Sequence, residues 1–433
     1  MIMLKHTSIT DPELYGIVCE ELDRQEHNIE MIASESTASE ELLELSGCVF
    51  TNKTTEGYPG ARYQAGSQIA DKMERLGVER AKALYEAEHA NIQPYSGSAA
   101  NYGVYAAVLS PGDCVLGMRL DHGGHLTHGS PANFMSRFYN FVSYGLNKET
   151  ELIDYEELER LAEEHKPRLI IAGGSAYPRL IDYERISGIA HSNGGLLMTD
   201  MAHVSGLVAA KVIPSPVPYS DFVSSSTTKT LCGPRGGLIL CKLEHAKALD
   251  KGVFPGSLSS IHLNIMAAKT WLFEHAKTQE FKNVMSQILK NSQTLAAELT
   301  KHDFRVVSGG TDNHIVLTDL RPKKLTGKLF QDSLEYVGIT VNKNMIPFDP
   351  EKPSITSGIR IGLTSVSQRG FKEPEIARIA EIMNKVAKAP EDKGNLDKCK
   401  SEALELVSVF PLYKNRGDIL QPVWDGILDV PRL

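Results

Sequence analysis

Cysteine is sparse and unpaired: Cys19, Cys48, Cys114, Cys232, Cys241 and Cys399 are scattered through 433 residues with no CxxC. That spacing suggests neither a zinc ribbon nor a thioredoxin-type motif, and a reducing compartment fits it best. No apolar run approaches the ~20 residues that span a bilayer. The opening MIMLKHTSITDPELYG lacks a basic segment followed by an apolar one, so no membrane partner and no secretory signal are expected, and the reading is of a cytoplasmic protein. A Lys/Arg block is also missing. Lys+Arg 46 against Asp+Glu 54 gives a formal charge of -8, which argues against a nucleic-acid partner. A small anionic ligand would have to be held by particular local groups. No internal repeat and no low-complexity tract is seen. What remains is ordinary: 42% hydrophobic and 23% charged residues exclude a disordered or fibrous chain, and the length excludes a peptide hormone or toxin. One or two domains can each bury a core.

From about residue 104 to 241, short apolar runs alternate with helical patterns, the pattern of an α/β domain with a largely parallel sheet. Asp154 and Glu157 have capping-box spacing, Leu158, Leu161 and Ala162 recur at helical spacing, and Pro167 forbids further helix. Residues 168–172 (RLIIA) then read as a buried strand. The unit repeats, with a helix over 182–193 and strands over 195–199, 221–226 and 236–241. Past 261 a long helical stretch runs to roughly 300, and mixed strand and helix continue to about 388, the last helix carrying Ile376, Ile379, Met383 and Val386 on one face. A linker, a short helix and a tail are expected beyond it.

Three constellations could carry chemistry. Ser96-Gly97-Ser98-Ala99-Ala100-Asn101 opens a helix whose small residues leave N–H groups and hydroxyls free for a phosphate; an N-cap with close packing is the plainer reading. Asp200 follows the apolar strand GLLMT, where ligands gather in α/β sheets, with His203 three residues on; a helix N-cap is the alternative. Lys229 lies among small hydroxyl residues (SSSTTKTL) just after another strand. There, partial desolvation would free its amine as a Schiff-base former, although most lysines are solvated surface. His122, His125 and His128 are spaced three apart, but no Asp, Glu or Cys partner gives a zinc pattern, so no metal is expected. A ring stacked on an aromatic cofactor is the better use of one histidine. The order of cup, strand-end carboxylate and lysine is the order that a pyridoxal 5'-phosphate (PLP) site needs.

The stretches MIASES (31–36), EGYPGARY (56–63), ANIQPYSGSAAN (90–101), GGHLTHGSPANF (123–134), TDMAHVSGLVAA (199–210), KTLCGPRGG (229–237), TVNKN (340–344) and TSGIRIG (356–362) carry a resemblance. Over roughly residues 20–390 the chain resembles the serine hydroxymethyltransferase family of PLP enzymes. The resemblance implies fold type I, an α/β fold with a mostly parallel seven-stranded sheet in the large domain and a smaller C-terminal α/β domain. It divides the chain into a helical arm over 1–44, a PLP-binding domain over 45–270, a small domain over 271–390 and a tail over 391–433.

Residue by residue, the same resemblance implies that Lys229 carries PLP, that Asp200 pairs with the pyridinium nitrogen and that His125 stacks on the ring. Ser96, Gly97 and Ser98 would hold the phosphate, and Ser175 and His203 the ring-hydroxyl region. Arg360, helped by Ser34, would bind the α-carboxylate of a small amino acid. Glu56 would be the acid–base group, and Tyr63, Leu120, Gly124, Leu126 and Asn344 would flank tetrahydrofolate or a related pterin. The implied reaction breaks the Cα–Cβ bond of a β-hydroxy amino acid in a homodimer with shared active sites.

Four places depart from the family pattern: Thr54 and Gln64 stand for tyrosines, Thr228 for the histidine before the lysine, and Leu258-Ser259-Ser260-Ile261 for Gln-Gly-Gly-Pro. They leave open a relative with another substrate, such as an aldolase, a transaldolase or a 2-methylserine hydroxymethyltransferase. A non-catalytic paralogue is a further alternative. Lys229, Asp200, His125, Glu56 and Arg360 together favour an enzyme.

Overall fold

In the computed structural model, residues 6–413 are described. The runs expected as strands bury every residue in Leu169–Ala172, Phe222–Ser226 and Gly237–Cys241, as a sheet covered on both faces requires. Seven strands form that sheet in the order His89–Asn91, Gly237–Cys241, Phe222–Ser226, Leu196–Asp200, Leu169–Ala172, Cys114–Met118, Asn140–Tyr144. Of these seven, Gly237–Cys241 alone runs opposite to the other six. The edge strand His89–Asn91 lies outside the region expected to hold the sheet: three residues, two of them polar, give no apolar run to read.

Local chemistry fixes the helices that connect the strands. Asp154 Oδ1 accepts the Glu157 N–H at 2.9 Å, Leu158, Leu161 and Ala162 are buried, and Lys166 ends the turn in the left-handed region just before Pro167. Asp182 caps the helix Tyr183–Ser192 in the same way, through the Arg185 N–H at 2.9 Å. The helical stretch expected from 261 to 300 is two helices, Leu263–His275 and Gln279–Lys301. Thr278 starts the second by accepting the Phe281 N–H at 3.2 Å, a cap that periodicity does not register. The first packs on the helix Gln68–Tyr85 and the second on Glu373–Lys388, so the turn between them passes the chain to the second sheet. The boundary drawn at 270/271 falls inside the first of these helices.

That second sheet is antiparallel, in the order Arg305–Val306, Ile315–Asp319, Gly358–Gly362, Asn342–Asn344. The N-terminal segment lies against it: Ile29–Glu30 pairs in parallel with Ile339–Thr340 as a separate two-stranded sheet, and the Gly362 N–H donates to Met31 O at 2.8 Å. Gly362 has no room for a side chain, since a Cβ would lie 2.3 Å from Ala33 Cα. This close approach delivers Ser34 and Glu35 to the end of the large sheet.

The stretch expected as a short helix and tail holds a 16-residue helix, Lys393–Ser408, that buries Leu396, Cys399, Ala403, Leu406 and Val407. Arg369 ties its end to the N-terminal helix by donating to Phe410 O, Glu26 O and Asn28 O. Its charged residues, three lysines in the first eight positions, hide the apolar face from a composition reading. The part of the expected tail over 414–433 lies outside the described residues.

Because Leu406 is buried and Leu404 is exposed on this helix, the two positions separate packing from propensity. Leu406→Ala should lower the free energy of unfolding by about 2–5 kcal/mol, and Leu404→Ala by no more than about 0.5 kcal/mol. Urea denaturation of both variants measures the difference; equal small effects would mean the helix is not part of the core.

Candidate active site

The strand Phe222–Ser226 runs into a tight turn that ends at Lys229. The Thr227 N–H donates to Gly236 O at 3.0 Å, its hydroxyl donates to Pro234 O at 2.5 Å, and the Gly233 N–H donates back to Thr227 O at 2.7 Å. Thr230 donates to His203 O at 2.7 Å and accepts the Gly206 N–H at 3.0 Å. Locked on both sides, Lys229 projects into a cavity of about 290 Å³ lined by Ser34, Ser96, Gly97, Ser98, His125 and Asp200, among others. Burial pushes its ammonium down to about 8 against the pull of Asp200, and the nearby Arg360 guanidinium pushes the same way as burial. A neutral amine near physiological pH is the form that can act as a nucleophile.

Asp200, at the carboxyl end of Leu196–Asp200, is held by three groups. Oδ1 accepts the Ala202 N–H at 3.0 Å; Oδ2 accepts from Asn101 Nδ2 at 2.9 Å and lies 3.0 Å from His128 Nε2. Burial alone would raise this carboxyl, but the His128 hydrogen bond, with His125 and Lys229 close by, holds it well below the usual carboxylate range. It is an anion at the floor of the cavity. Asn101 is oriented in turn by Thr127 Oγ1 at 2.8 Å and by the Ser224 hydroxyl, which donates to its Oδ1 at 2.6 Å.

His125 forms one wall. Its Nδ1 accepts the Thr127 N–H at 3.2 Å and lies 2.7 Å from Thr127 Oγ1, and burial lowers the ring to about 4, so it is a neutral flat surface. The three evenly spaced histidines do not converge. His122 points elsewhere, with Nδ1 accepting the Leu146 N–H at 3.0 Å and its ring 4.5 Å from Phe348. The ring nitrogens of His125 and His128 and the Asp200 carboxylate do lie within 4.8 Å of one another. Hydrogen bonding accounts for that closeness, since His128 bridges Asp200 and the His125 N–H.

At Ser96–Asn101 the plainer reading, an N-cap with close packing, is observed. Ser96 Oγ caps the helix Gly97–Val108 by accepting the Ala99 N–H at 3.1 Å, and the remaining first-turn amides face the cavity with the positive end of the helix. Gly97 lies so close to Ser226 that a Cβ would touch it at 3.4 Å.

Arg360, on the strand Gly358–Gly362, does not itself line that cavity but stands close enough to Lys229 and His125 to act on both. It donates to Asn342 Oδ1 at 3.1 Å and to Ser175 O at 2.6 Å. Among the described residues no carboxylate pairs with it, and burial lowers the guanidinium to about 10. Ser175 Oγ is likewise buried with no hydrogen-bond partner among the described residues. A helix N-terminus for a phosphate, a buried carboxylate for a ring nitrogen, a flat neutral histidine, an orphaned hydroxyl and a depressed lysine together fit PLP.

Other expected residues are not part of this cavity. His203 is fully packed beneath it, stacked on His314 with ring centres 5.5 Å apart. Leu120 and Leu126 are exposed, Asn344 donates to Met345 O at 2.7 Å, and Gly124 is wedged where a Cβ would meet Met118 O at 2.1 Å. Tyr63 is exposed with its ring 5.7 Å from Phe254, and Glu56 does not line the cavity of its own chain. Asn101, Thr127, His128 and Ser224, which orient the floor, drew no role from the sequence, although His128 is one turn on from His125 and Ser224 stands on the lysine's own strand. Tyr95 and Arg235 at the rim were equally silent.

The model of one family, described as serine hydroxymethyltransferase, matches residues 7–383.

Lys229 gives the site a signature that needs no ligand. Its folded value is lowered from 10.5 to about 8, so across that window the unfolded chain holds the proton more tightly, and this group's contribution to ligand-free stability rises with pH. Competitive amine labelling of the ligand-free protein should give Lys229 a midpoint near 8, well below the ordinary lysine value of 10.5. A midpoint shared with the surface lysines would contradict the desolvated amine.

Proposed function

The chain belongs to the serine hydroxymethyltransferase family of PLP enzymes, with fold type I, and we propose that it makes and breaks the Cα–Cβ bond of a small β-hydroxy amino acid. In this reading serine becomes glycine and the one-carbon unit passes to tetrahydrofolate or a related pterin. The observation that carries it is Arg360. A buried guanidinium with no carboxylate partner among the described residues costs stability until an anion arrives, and a planar fork beside Lys229 suits an α-carboxylate. A chain kept only for its fold has no use for such a group.

When bound, PLP supplies an electron sink for the charge left at Cα. The chain's own residues do the rest. The amides and hydroxyls of Ser96, Gly97 and Ser98 receive the phosphate, and Asp200, kept ionised by His128 and Asn101, keeps a proton on the ring nitrogen. The neutral face of His125 excludes water from one side, Ser175 Oγ turns to the ring hydroxyl, and Ser34 joins Arg360 in orienting the carboxylate. Orientation is the larger part of this work, since holding reacting groups in one geometry removes much of the entropy from the barrier. Glu56 is the proton-transfer group. Because Glu56 and Tyr63 stand away from the cavity of their own chain, the reading requires a homodimer in which they complete the partner's site.

A second reading is favoured by one observation: Gln64 and Ser259, two of the departures, both bond to Glu56. An altered proton-transfer group supports a relative that uses another aldehyde or another β-hydroxy amino acid, in the manner of a transaldolase or a 2-methylserine hydroxymethyltransferase.

Product analysis separates the two. PLP-loaded protein incubated with serine should yield glycine only when tetrahydrofolate is present, whereas conversion of threonine or 2-methylserine in preference to serine selects the second reading. Failure to convert any of the three by a PLP-loaded protein would overturn both.

Arg360→Ala should weaken amino-acid binding at least ~10-fold, from the loss of about 1.5–3 kcal/mol of charge-assisted hydrogen bonding, and leave PLP binding within about threefold. Titration of the visible cofactor spectrum measures both. Equal losses for the two ligands would mean that Arg360 is structural.

A further inference from the structure

Glu56 is held on three sides. Gln64 Nε2 donates to Glu56 Oε2 at 3.0 Å, the Ser259 hydroxyl lies 2.6 Å from Oε1, and the Glu56 N–H donates to Gln64 Oε1 at 2.8 Å. The last bond settles the orientation of the amide. With Oε1 committed to the backbone N–H, only the NH₂ end of Gln64 can face the carboxylate, and a proton on Glu56 Oε2 would oppose it donor to donor. A phenol in the same place can donate or accept, and so tolerates either protonation state.

The second arm of the grip is equally fixed. The loop 258–261 is stapled to the segment before Glu56, because the Ile261 N–H donates to Thr55 O at 3.1 Å. Tyr95, which lines the Lys229 cavity, donates its hydroxyl to Ser260 O and stacks on His262 at 4.6 Å. Two departures that lie about 200 residues apart in the sequence thus meet on one side chain, and the loop that carries one of them is fastened to the rim of the lysine cavity.

We propose that Gln64 and Ser259, two of the departures from the family pattern, form a clamp that holds Glu56 as an ionised hydrogen-bond acceptor and so makes it a base toward the substrate. In the step so assigned, the β-hydroxyl O–H bond breaks and its proton passes to Glu56. The C–O bond becomes a carbonyl, and the Cα–Cβ electron pair stays with the amino-acid fragment. Gln64 and Ser259 act through Glu56 and are positioning residues. The inference rests on the proposed role of Glu56 and specifies which direction its proton moves.

The electrostatics agree. The Ser259 hydrogen bond first and the Gln64 hydrogen bond second lower the Glu56 carboxyl. Tyr95 is the titratable group facing it from the neighbouring element; burial raises that phenol and the Glu56 charge raises it further. Lys53 is turned to Thr54 O at 2.7 Å, and among the described residues no cation pairs with Glu56. The donors of the clamp, not a counter-ion, hold the charge.

The test replaces donor by acceptor without changing shape. Gln64→Glu keeps an oxygen for the Glu56 N–H and puts a second carboxylate where the amide NH₂ stood, so one of the pair should bind a proton near neutrality. In protein labelled with carboxyl-¹³C glutamate, with Glu56→Gln to assign the signal, the Glu56 resonance should titrate at least about one pH unit higher than in the parent. Ser259→Ala should move it the same way by less. With the amino acid that the PLP-loaded parent cleaves, Gln64→Glu should lose at least ~10-fold in kcat/KM at pH 7 and recover most of it by pH 9.

An unmoved Glu56 resonance in both variants would overturn the clamp. A moved resonance with a loss of rate that is the same at every pH would overturn the base assignment, since a merely structural fault has no pH profile. If the parent cleaves no β-hydroxy amino acid, the proposed function falls, while the carbon resonance still decides whether the clamp exists.

Discussion

The hydrogen bonds to the Asp200 carboxylate are the constraint on which the site depends. Asn101, His128 and the Ala202 N–H converge on it from three parts of the chain, and each partner is itself fixed by a further bond. Asn101 carries the order into the helix Gly97–Val108 and, through Ser224, into the lysine's strand. His128 carries it to His125. A buried carboxylate held in this way is expensive to protonate and expensive to move, because a charge in a low-dielectric interior must keep its donors. The cavity therefore has a fixed negative floor, and the positions of Lys229, His125 and the first-turn amides of Gly97–Val108 follow from it.

Around that floor the chain leaves groups unfinished. Among the described residues Arg360 has no carboxylate and Ser175 Oγ no hydrogen-bond partner, while burial drives the Lys229 ammonium toward its neutral form. Each of these is unfavourable in the ligand-free protein, and the proposed function gives each of them a ligand group to meet. The rest of the fold compensates with a continuous core that runs from the large sheet through the helices Leu263–His275 and Gln279–Lys301 to the helix Lys393–Ser408. Local unsatisfied chemistry set in an over-determined frame is the usual relation between function and stability.

Much of this was legible in the sequence. Asp154, Leu158 and Pro167 mark a helix because capping and periodicity are local, and strand-end positions for Asp200 and Lys229 follow from apolar runs of the right length. The two-helix break at Thr278 and the packed face of Lys393–Ser408 were not legible, since a single cap and an apolar stripe diluted by lysines leave faint local signals. The partners of Asp200 were hidden for a different reason: Asn101, His128 and Ser224 are distant in sequence and meet only when the sheet forms. The clamp on Glu56 is the plainest case. Gln64 and Ser259 could be seen as departures from a pattern, but nothing in one dimension says that they touch the same carboxylate.

The central claim is that the amine at the end of Phe222–Ser226 carries the cofactor above the Asp200 floor. Borohydride reduction of the PLP-loaded protein, followed by peptide mapping, tests it most directly. The account requires one pyridoxyl group per chain, on Lys229. Label on another lysine, such as the buried Lys269, or no stable label at all, would contradict it.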